Sequence, residues 1–546
     1  MVLALGAVPN VATPSVAAQP ELPTADPVPV GWSTTAGGGL SRVAWADCGT
    51  EATPRLQCGS LKVPLDYDRP RGRTITLALN RVPHTAARSQ GPLLVNPGGP
   101  GGSGLGLAEF VAGALPADVA SQYDVIGFDP RGVGSSEPAL DCAPGYFDAP
   151  RPDSVPTTAA IERANLKRAE GFARSCGEKY GDVLEHINTP DTARDMDTIR
   201  RALGADKISY FGYSYGTYLG AVYAKLFPER VRRLALDSVV DPTGVWYEDN
   251  LAQDYAFDKR HKAFARWVAE HESTYGLGSD PDAVEAAWYA MRKDVADDPA
   301  GGVVGPAELE DTFLPGGYAN VFWPDLAEAF AAYVNSGDED ALVQAYEDFG
   351  AAGGAAGDNG YSVYAAVECQ DAAWPRDWRT WRRDHWRTYA KAPFLTWNNA
   401  QFNAPCAFWP TRSLEPVDVT NDELPPTLLF QATDDAATPY PGAVTVKNLL
   451  SGSSLVVEDG GGNHSITLGG NDCLDGYLVE YLRSGAVPRG DGTGDTPDAD
   501  AVCDALPEPE PQPAAATASA NSPAASSAAD VADRAAALHH LLGTPR

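Results

Sequence analysis

Apolar residues in the first half of the chain fall into two alternating patterns. Short runs rich in β-branched and aromatic residues predict strands, and longer amphipathic runs predict helices. The predicted strands are residues 61–67, 74–81, 92–96, 123–128, 207–211 and 231–236. The predicted helices are residues 105–115, 192–203 and 217–227. Strands that alternate with helices predict an α/β fold with a mostly parallel sheet covered on both faces.

The alternation stops between residues 241 and 410. Helical, aromatic-rich segments occupy this stretch, at residues 255–272, 281–295, 323–335 and 338–349. Strand patterns return at residues 427–431 and 454–458, and a helical pattern follows at residues 473–483. The sequence therefore predicts a sheet domain that a helical insertion interrupts.

The two ends of the chain differ from the rest in composition. Residues 1–18 are apolar and end in Val16-Ala17-Ala18, which is typical of the distal part of a secretory signal, although a basic n-region is missing. Residues 19–40 are rich in Pro, Thr, Ala and Gly and predict a flexible lead-in. The tail from residue 507 is Pro/Glu-rich and then Ala/Ser-rich, which predicts disorder with at most one short helix and no packed core.

Length and charge narrow the classes of partner. The chain has 546 residues, enough for a large core and an inserted domain. Its net charge is −32, from 73 acidic and 41 basic side chains. Such a surface repels nucleic acid and anionic membranes, so neither is expected as a partner. Beyond the N-terminal segment no apolar stretch is long enough for a membrane span.

Eight cysteines fall into four pairs that are close in sequence: Cys48 with Cys58, Cys142 with Cys176, Cys369 with Cys406, and Cys473 with Cys503. They form no C-x-x-C motif and lie away from clustered histidines, so no metal site is expected. An even count with short closures favours disulfides over eight buried thiols. Disulfides in turn favour a secreted, extracellular protein, either free or attached to the cell wall.

A G-x-S-x-G motif, Gly212-Tyr213-Ser214-Tyr215-Gly216, lies between a predicted strand and a predicted helix. A serine on such a turn is exposed at the top of a sheet, and the N-terminus of the following helix favours a developing negative charge. This context predicts that Ser214 is a nucleophile. The alternative is a tight turn that uses its glycines for packing only.

A serine nucleophile needs a histidine as base and a carboxylate to orient that histidine. Two of the six histidines after Ser214 lie in the predicted tail, and three lie in charged helical segments where we expect solvated faces: His539 and His540, and His261, His271 and His385. His464 follows a predicted strand through a glycine-rich loop and is the predicted base. Two candidates for the acid, Asp434 and Asp435, follow the strand at 427–431, and their spacing does not choose between them.

The oxyanion of the reaction needs two backbone N–H donors. Tyr215, the residue after the nucleophile, is predicted to supply one, and the glycine-rich loop at residues 96–104 to supply the other, through Gly99. The loop carries neither G-K-[ST] nor G-x-G-x-x-G, so it does not predict a phosphate site. A plain flexible loop is the alternative.

Together these motifs resemble those of the α/β-hydrolase peptidases related to prolyl aminopeptidase, and among them the secreted tripeptidyl aminopeptidases of actinobacteria. The resemblance runs from about Trp45 to Leu506, and its matching segments are residues 63–67, 96–104, 127–136, 213–217, 435–439, 462–464 and the pattern from Cys473 to Cys503. It implies an α/β-hydrolase fold in which the insertion is a helical cap over the active site. It also selects Asp435 as the acid, three residues before Thr-Pro. Asn463, in place of the glycine before the histidine, is a small departure.

The patterns along the chain, with the insertion taken as the cap that the resemblance implies, divide it into five segments: residues 1–40 as signal remnant and lead-in, 41–240 as the first part of the core, 241–410 as the cap, 411–506 as the second part of the core, and 507–546 as a low-complexity tail. An exopeptidase must recognise a free amino group, and a carboxylate in the cap can do so. Glu368 and Asp371, beside Cys369, are the candidates.

The function that this implies is release of short peptides, such as tripeptides, from the free amino terminus of peptide substrates, with no cofactor. An esterase or amidase with the same triad is the first alternative, and a non-catalytic binding protein on a hydrolase fold is the second. The sequence leaves the oligomeric state open, and a monomer is compatible with it.

Overall fold

A ten-stranded sheet organises the computed structural model, which describes residues 42–352, 354–490, 496–511, 534–535 and 537–538. The strands are β1 (Ala46–Asp47), β2 (Gln57–Pro64), β3 (Thr74–Val82), β4 (Gly91–Asn96), β5 (Tyr123–Phe128), β6 (Ile208–Tyr213), β7 (Val231–Asp237), β8 (Leu428–Ala432), β9 (Ser454–Asp459) and β10 (Ala501–Asp504). Their order across the sheet is β1-β2-β3-β5-β4-β6-β7-β8-β9-β10. Pairing is antiparallel from β1 through β3 to β5 and parallel from β5 to β10.

Helices cover both faces of this sheet and fill the connection between β7 and β8. In the described residues they are α1 (Leu105–Ala114), α2 (Ala117–Ala120), α3 (Ala159–Leu184), α4 (Thr189–Ala202), α5 (Tyr215–Leu226), α6 (Tyr247–Glu270), α7 (Glu272–Tyr275), α8 (Pro281–Asp297), α9 (Pro306–Phe313), α10 (Pro315–Tyr318), α11 (Trp323–Ser336), α12 (Glu339–Ala345), α13 (Gly354–Asp371), α14 (Trp378–Tyr389), α15 (Thr396–Asn403), α16 (Tyr440–Leu449) and α17 (Asp472–Ser484). Short 3-10 turns lie at Pro228–Arg230, Asn320–Phe322 and Ala404–Phe408, and a π turn lies at Tyr346–Gly350.

The predicted α/β-hydrolase fold class is confirmed, and the central strands explain why the sequence pattern was clear. Every residue of β6 and of β8 is buried, as expected for parallel strands that helices cover on both faces. Helix α13 was missed, because its second half is buried on all sides and therefore has no polar face to give a helical period.

Helices α6 to α12 enclose an aromatic core of their own, in which Trp267, Trp288 and Trp323 are fully buried. The expectation that His261 and His385 lie on solvated faces is wrong. The ring of His261 stacks on Phe394 with centroids 4.0 Å apart, and burial lowers its pKa to about 3. Burial likewise lowers the pKa of His385 to about 4. Both rings are therefore neutral packing groups.

The predicted signal remnant and lead-in lie outside the described residues, as does most of the predicted tail. The described part of the tail contacts the folded protein. The indole of Trp267 donates a hydrogen bond to the carbonyl of Pro509 (3.0 Å), and Leu538 is fully buried in an apolar cluster with Ile466 and Leu468. The prediction that the tail has no packed part is therefore wrong at Leu538.

All eight cysteines form disulfides in the structure, in the four pairs that the sequence predicted: Cys48–Cys58, Cys142–Cys176, Cys369–Cys406 and Cys473–Cys503. Among the helices that the structure describes, none has the length and apolar character needed to cross a membrane.

Candidate active site

Ser214 lies on a sharp turn between β6 and α5. Its backbone has φ 56° and ψ −129°, a left-handed conformation that a non-glycine residue adopts only under constraint. The flanking glycines are sterically required. A Cβ on Gly212 would lie 2.7 Å from the carbonyl oxygen of Gly216, and a Cβ on Gly216 would lie 2.8 Å from Oδ1 of Asn96. The geometry is that of a nucleophile elbow.

His464 and Asp435 form a buried pair. Nδ1 of His464 lies 2.9 and 3.0 Å from the two carboxylate oxygens of Asp435. Nε2 of the same ring is buried and has no hydrogen-bond partner in the described part of the chain. Burial opposes ionisation of Asp435, but the attraction of His464 and its hydrogen bonds hold the pKa of this carboxyl below its ordinary value. Asp434 instead forms an ion pair with Lys259.

Cap residues hold the loop that carries His464. The backbone N–H of His464 donates to the carbonyl of Tyr318 (2.8 Å), and the ring of Tyr318 meets the imidazole edge to face at 5.4 Å. Oδ1 of Asn463 accepts from the N–H of Asn320 (2.9 Å). Asn463, the departure from the family pattern, thus gives the loop a cap contact that glycine could not provide.

The glycine-rich loop after β4 packs directly against the elbow. Gly98 has φ 99°, and a Cβ there would lie 2.8 Å from Cβ of Ser214. Oδ1 of Asn96 accepts from the N–H of Gly98 (3.0 Å) and fixes the start of the loop. Only a residue without a side chain allows this approach, which brings the backbone of Gly99 to the same cavity as Ser214 and Tyr215.

A cavity of about 170 Å³ lies between the sheet and the cap. Ser214, Gly99 and Tyr215 line it from the sheet side. The cap side is mainly apolar, with Phe257, Leu314, Tyr318, Leu395 and Phe402. A mostly apolar cleft with a few convergent polar groups is typical of a substrate pocket.

Three acidic residues of the described cap line this cavity: Asp241, whose oxygens accept from the hydroxyls of Thr243 and Thr445, and Asp249 and Glu368. Glu368 of α13 is buried, and its Oε2 has no hydrogen-bond partner among the described residues. Burial raises its pKa well above the ordinary value, and the charges of Asp371 and Asp249 add to the effect. Asp249 of α6 also has a buried oxygen without a described partner, and burial followed by the charge of Asp241 raises its pKa to about 8.

Asp249 was missed in the sequence, because an acid in the first turn of a helix is common wherever it complements the helix dipole. Asp371, by contrast, does not line the cavity. Its oxygens accept from the N–H (2.8 Å) and the hydroxyl (2.5 Å) of Thr189, whose hydroxyl lies 2.7 Å from the Tyr215 hydroxyl. The structure thus brings only one of the two predicted amine-binding carboxylates to the cavity.

Two family models match the chain. Residues 91–312 match the model described as alpha/beta hydrolase fold, and residues 392–503 match the model described as TAP-like protein. The chain is 46% identical over 463 residues to the tripeptidyl aminopeptidase of Streptomyces coelicolor. The aligned region covers 83% of this chain and 85% of that protein.

Two mycobacterial relatives are more distant. The chain is 33% identical over 477 residues to serine protease Hip1 of Mycobacterium tuberculosis, covering 82% of this chain and 89% of that protein. It is 32% identical over 471 residues to carboxylesterase B of the same organism. That alignment covers 82% of this chain and 88% of the carboxylesterase.

Proposed function

The chain belongs to the α/β-hydrolase family of serine peptidases that includes the tripeptidyl aminopeptidases, and on this premise we propose that it releases tripeptides from the free amino terminus of peptides through an acyl-enzyme on Ser214. It is a serine hydrolase of the aminopeptidase type. Secretion is part of the proposal, because four disulfides persist best in an oxidising compartment.

In this mechanism Oγ of Ser214 attacks the scissile carbonyl carbon. Nε2 of His464 takes the serine proton and passes it to the leaving amine, and Asp435 holds the Nδ1–H and stabilises the imidazolium. The contacts of the histidine support these roles, since Nδ1 is bound to Asp435 while Nε2 is left without a partner among the described residues. Water then repeats the sequence on the acyl-enzyme and releases the peptide.

The N–H groups of Gly99 and Tyr215 stabilise the oxyanion. Both residues line the cavity next to Ser214, and the N-terminus of α5 adds its partial positive charge. Because these donors are fixed before the reaction, they favour the transition state without reorganisation.

Glu368 carries the proposal that the substrate has a free amino terminus. A buried carboxylate with an unpartnered oxygen needs a cation, and a substrate ammonium in the same cavity supplies one. Asp249 contributes a second carboxylate to this site. Since the amine is held in the same cavity as Ser214, the span between amine and nucleophile limits the released fragment to a few residues.

The test is hydrolysis of peptidyl amides of one to four residues, each with a free and with an acetylated amino terminus. We expect the free tripeptide to be cleaved fastest, and Ser214→Ala to abolish turnover while thermal unfolding stays unchanged. Glu368→Gln should raise KM for the free tripeptide by about tenfold or more with a smaller change in kcat, since a charge-assisted contact is lost.

Asp358→Asn is the matched control for Glu368→Gln. Asp358 is also a buried carboxylate on α13, but it accepts from the N–H of Gly145 and does not line the cavity. Faster cleavage of acetylated peptides, or equal KM values for Glu368→Gln and wild type, would contradict amine recognition. Retained activity of Ser214→Ala would contradict the mechanism.

Ester hydrolysis is a second candidate, because the relative at 32% identity is named a carboxylesterase. Small acyl esters carry no ammonium group and gain nothing from Glu368. If the protein is an esterase, short esters should therefore outcompete free tripeptide amides in kcat/KM, and Glu368→Gln should leave ester cleavage unchanged or improved.

A further inference from the structure

A second buried aspartate, Asp237, lies at the end of β7, the strand next to the one that carries Ser214. The residue is fully buried and does not line the cavity. Burial raises its pKa to about 6, against hydrogen bonds and the charge of His464, which lower it. The proposed mechanism gives Asp237 no role. Burial of an ionisable group costs free energy unless hydrogen bonds or an opposite charge compensate for the lost water.

The carboxylate of Asp237 binds the segment that directly follows His464. Oδ1 accepts from the N–H of Ile466 (3.1 Å), and Oδ2 accepts from the N–H of Thr467 (2.7 Å) and from the hydroxyl of the same threonine. The hydroxyl of Ser238 also donates to Oδ1 (3.2 Å). Four donors therefore converge on one carboxylate, and three of them belong to the histidine loop.

The same residue is bound to the nucleophile elbow through its backbone. The N–H of Ser214 donates to the carbonyl of Asp237 (3.0 Å). The hydroxyl of Tyr213, one residue earlier, donates to the carbonyl of Thr467 (2.9 Å). Asp237 thus contacts the elbow with its backbone and the histidine loop with its side chain.

Backbone strain is concentrated at this junction. In the described part of the chain four non-glycine residues have positive φ: Ser214 (56°), Ser238 (60°), Ser465 (63°) and Leu468 (63°). They belong to the elbow, to the segment after β7 and to the histidine loop. Two of them are joined directly, since the N–H of Ser465 donates to Oγ of Ser238 (2.6 Å). Strained conformations persist only where surrounding contacts over-determine them.

We infer that Asp237 is a positioning residue that holds the His464 loop in register with the Ser214 elbow. The inference rests on the proposed roles of Ser214 and His464. Loops move more readily than strands. Because Asp237 is the last residue of a central strand, its hydrogen bonds to the His464 loop attach that loop to the rigid sheet. A displacement of about 1 Å between base and nucleophile can lower the rate by about a hundredfold.

Asp237→Asn tests the inference. The amide keeps the size of the side chain but replaces one acceptor oxygen with a donor, which must then face a backbone N–H of Ile466 or Thr467. We expect kcat for the free tripeptide amide to fall about 10- to 100-fold, with KM within about twofold of wild type, because Asp237 lies outside the cavity. Circular dichroism and thermal unfolding check that the variant is folded.

Asp475→Asn is the matched control. This aspartate accepts from the N–H of Leu468 in the same loop, and burial raises its pKa to about 6, as it does for Asp237. It makes no described hydrogen bond to the elbow, so kcat should stay within about twofold of wild type even if the melting temperature falls. Equal losses of kcat in both variants would mean general loosening of the loop and would overturn the inference, as would an unchanged kcat in Asp237→Asn.

If Asp237→Asn does not fold, Ser238→Gly provides a second test of the inference. Glycine tolerates the positive φ but removes the hydroxyl that joins Asp237 to Ser465 and that also acts on Asp435, so kcat should fall with KM unchanged. Unchanged kcat in this variant would overturn the inference in that case. Ser214→Ala separates the two proposals: if it retains activity, the proposed function fails, and if it is inactive while Asp237→Asn and Ser238→Gly keep full kcat, only the positioning role fails.

Discussion

At the residue scale, neighbouring aspartates have opposite environments. Asp435 is buried and bound to His464, whereas Asp434 is partly exposed and paired with Lys259. Cap carboxylates differ in the same way: Asp371 is satisfied by Thr189, whereas one oxygen of Glu368 has no partner among the residues that the structure describes. The chemistry of each carboxyl group follows from its hydrogen-bond donors rather than from its residue type.

The amine site predicts a pH dependence of substrate binding. Burial raises the pKa of Asp249 to about 8, and a bound ammonium favours the ionised form. Binding therefore strengthens as the pH rises towards this pKa and weakens once the substrate amine, with a pKa near 8, loses its proton. We expect the ratio of kcat/KM for free over acetylated peptide amides to rise between about pH 6 and pH 8.

Taking this ratio cancels the contribution of His464, which acts on both substrates. The rise should be smaller in Asp249→Asn and unchanged in Asp358→Asn, the control on α13. A ratio that is flat in wild type would contradict the assignment of the two cap carboxylates to the amine.

At the element scale, helix α13 links substrate recognition to the elbow. Glu368 faces the cavity, and Asp371, one turn later, binds Thr189 and through it the hydroxyl of Tyr215. The disulfide between Cys369 and Cys406 anchors the turn between these two carboxylates. One short stretch of helix therefore positions both the amine site and the residue proposed to donate to the oxyanion.

Replacing both cysteines of this disulfide by serine should raise KM for the free tripeptide by about fivefold, because Glu368 loses its rigid support. The free energy of unfolding should fall by about 3 to 4 kcal/mol for a closure of 37 residues. The control is Cys48→Ser with Cys58→Ser, which opens a closure of 10 residues at the sheet edge and should leave KM unchanged. Equal KM values in the two double variants would contradict a specific role of the Cys369–Cys406 bond.

At the scale of the whole molecule, buried ionisable groups make stability depend on pH in two directions. Burial raises the pKa of Glu458 and of Asp371 to about 7, so the folded state binds protons more tightly than the unfolded chain and loses stability as the pH rises through this value. His261 and His385 have lowered pKa values and must be charged on unfolding in acid, so their contribution is lost as the pH falls below about 6.5.

We therefore expect the melting temperature to be highest near about pH 6 and to fall by several degrees towards pH 8. Glu458→Gln should make the fall of the melting temperature between pH 6 and pH 8 smaller, because it removes one of the buried carboxyls. The glutamine oxygen can still accept the hydrogen bond from Asn471. The slope should persist in about 0.5 M salt, which screens surface repulsion but not buried groups. A melting temperature that rises steadily to pH 8 would contradict this account.

The sequence by itself determined the order of strands β2 to β9 and the strand–turn–helix around Ser214. Strand periodicity, paired glycines and spacing are local properties, and local sterics decide them: only glycine fits at positions 212 and 216 beside a strained serine. The disulfide pairs were also predictable, because each closure is short in sequence.

Only the tertiary structure decided which acidic groups meet in space. Asp249 and Glu368 are 119 positions apart in the chain (368 − 249) and face one cavity, and Asp237 reaches a loop more than 220 residues later. Burial likewise turned His261 and His385 from apparent surface residues into neutral core groups. Hydrogen-bond partners and burial set the protonation state of a carboxyl or an imidazole. Both depend on contacts between distant segments, which the local sequence pattern does not contain.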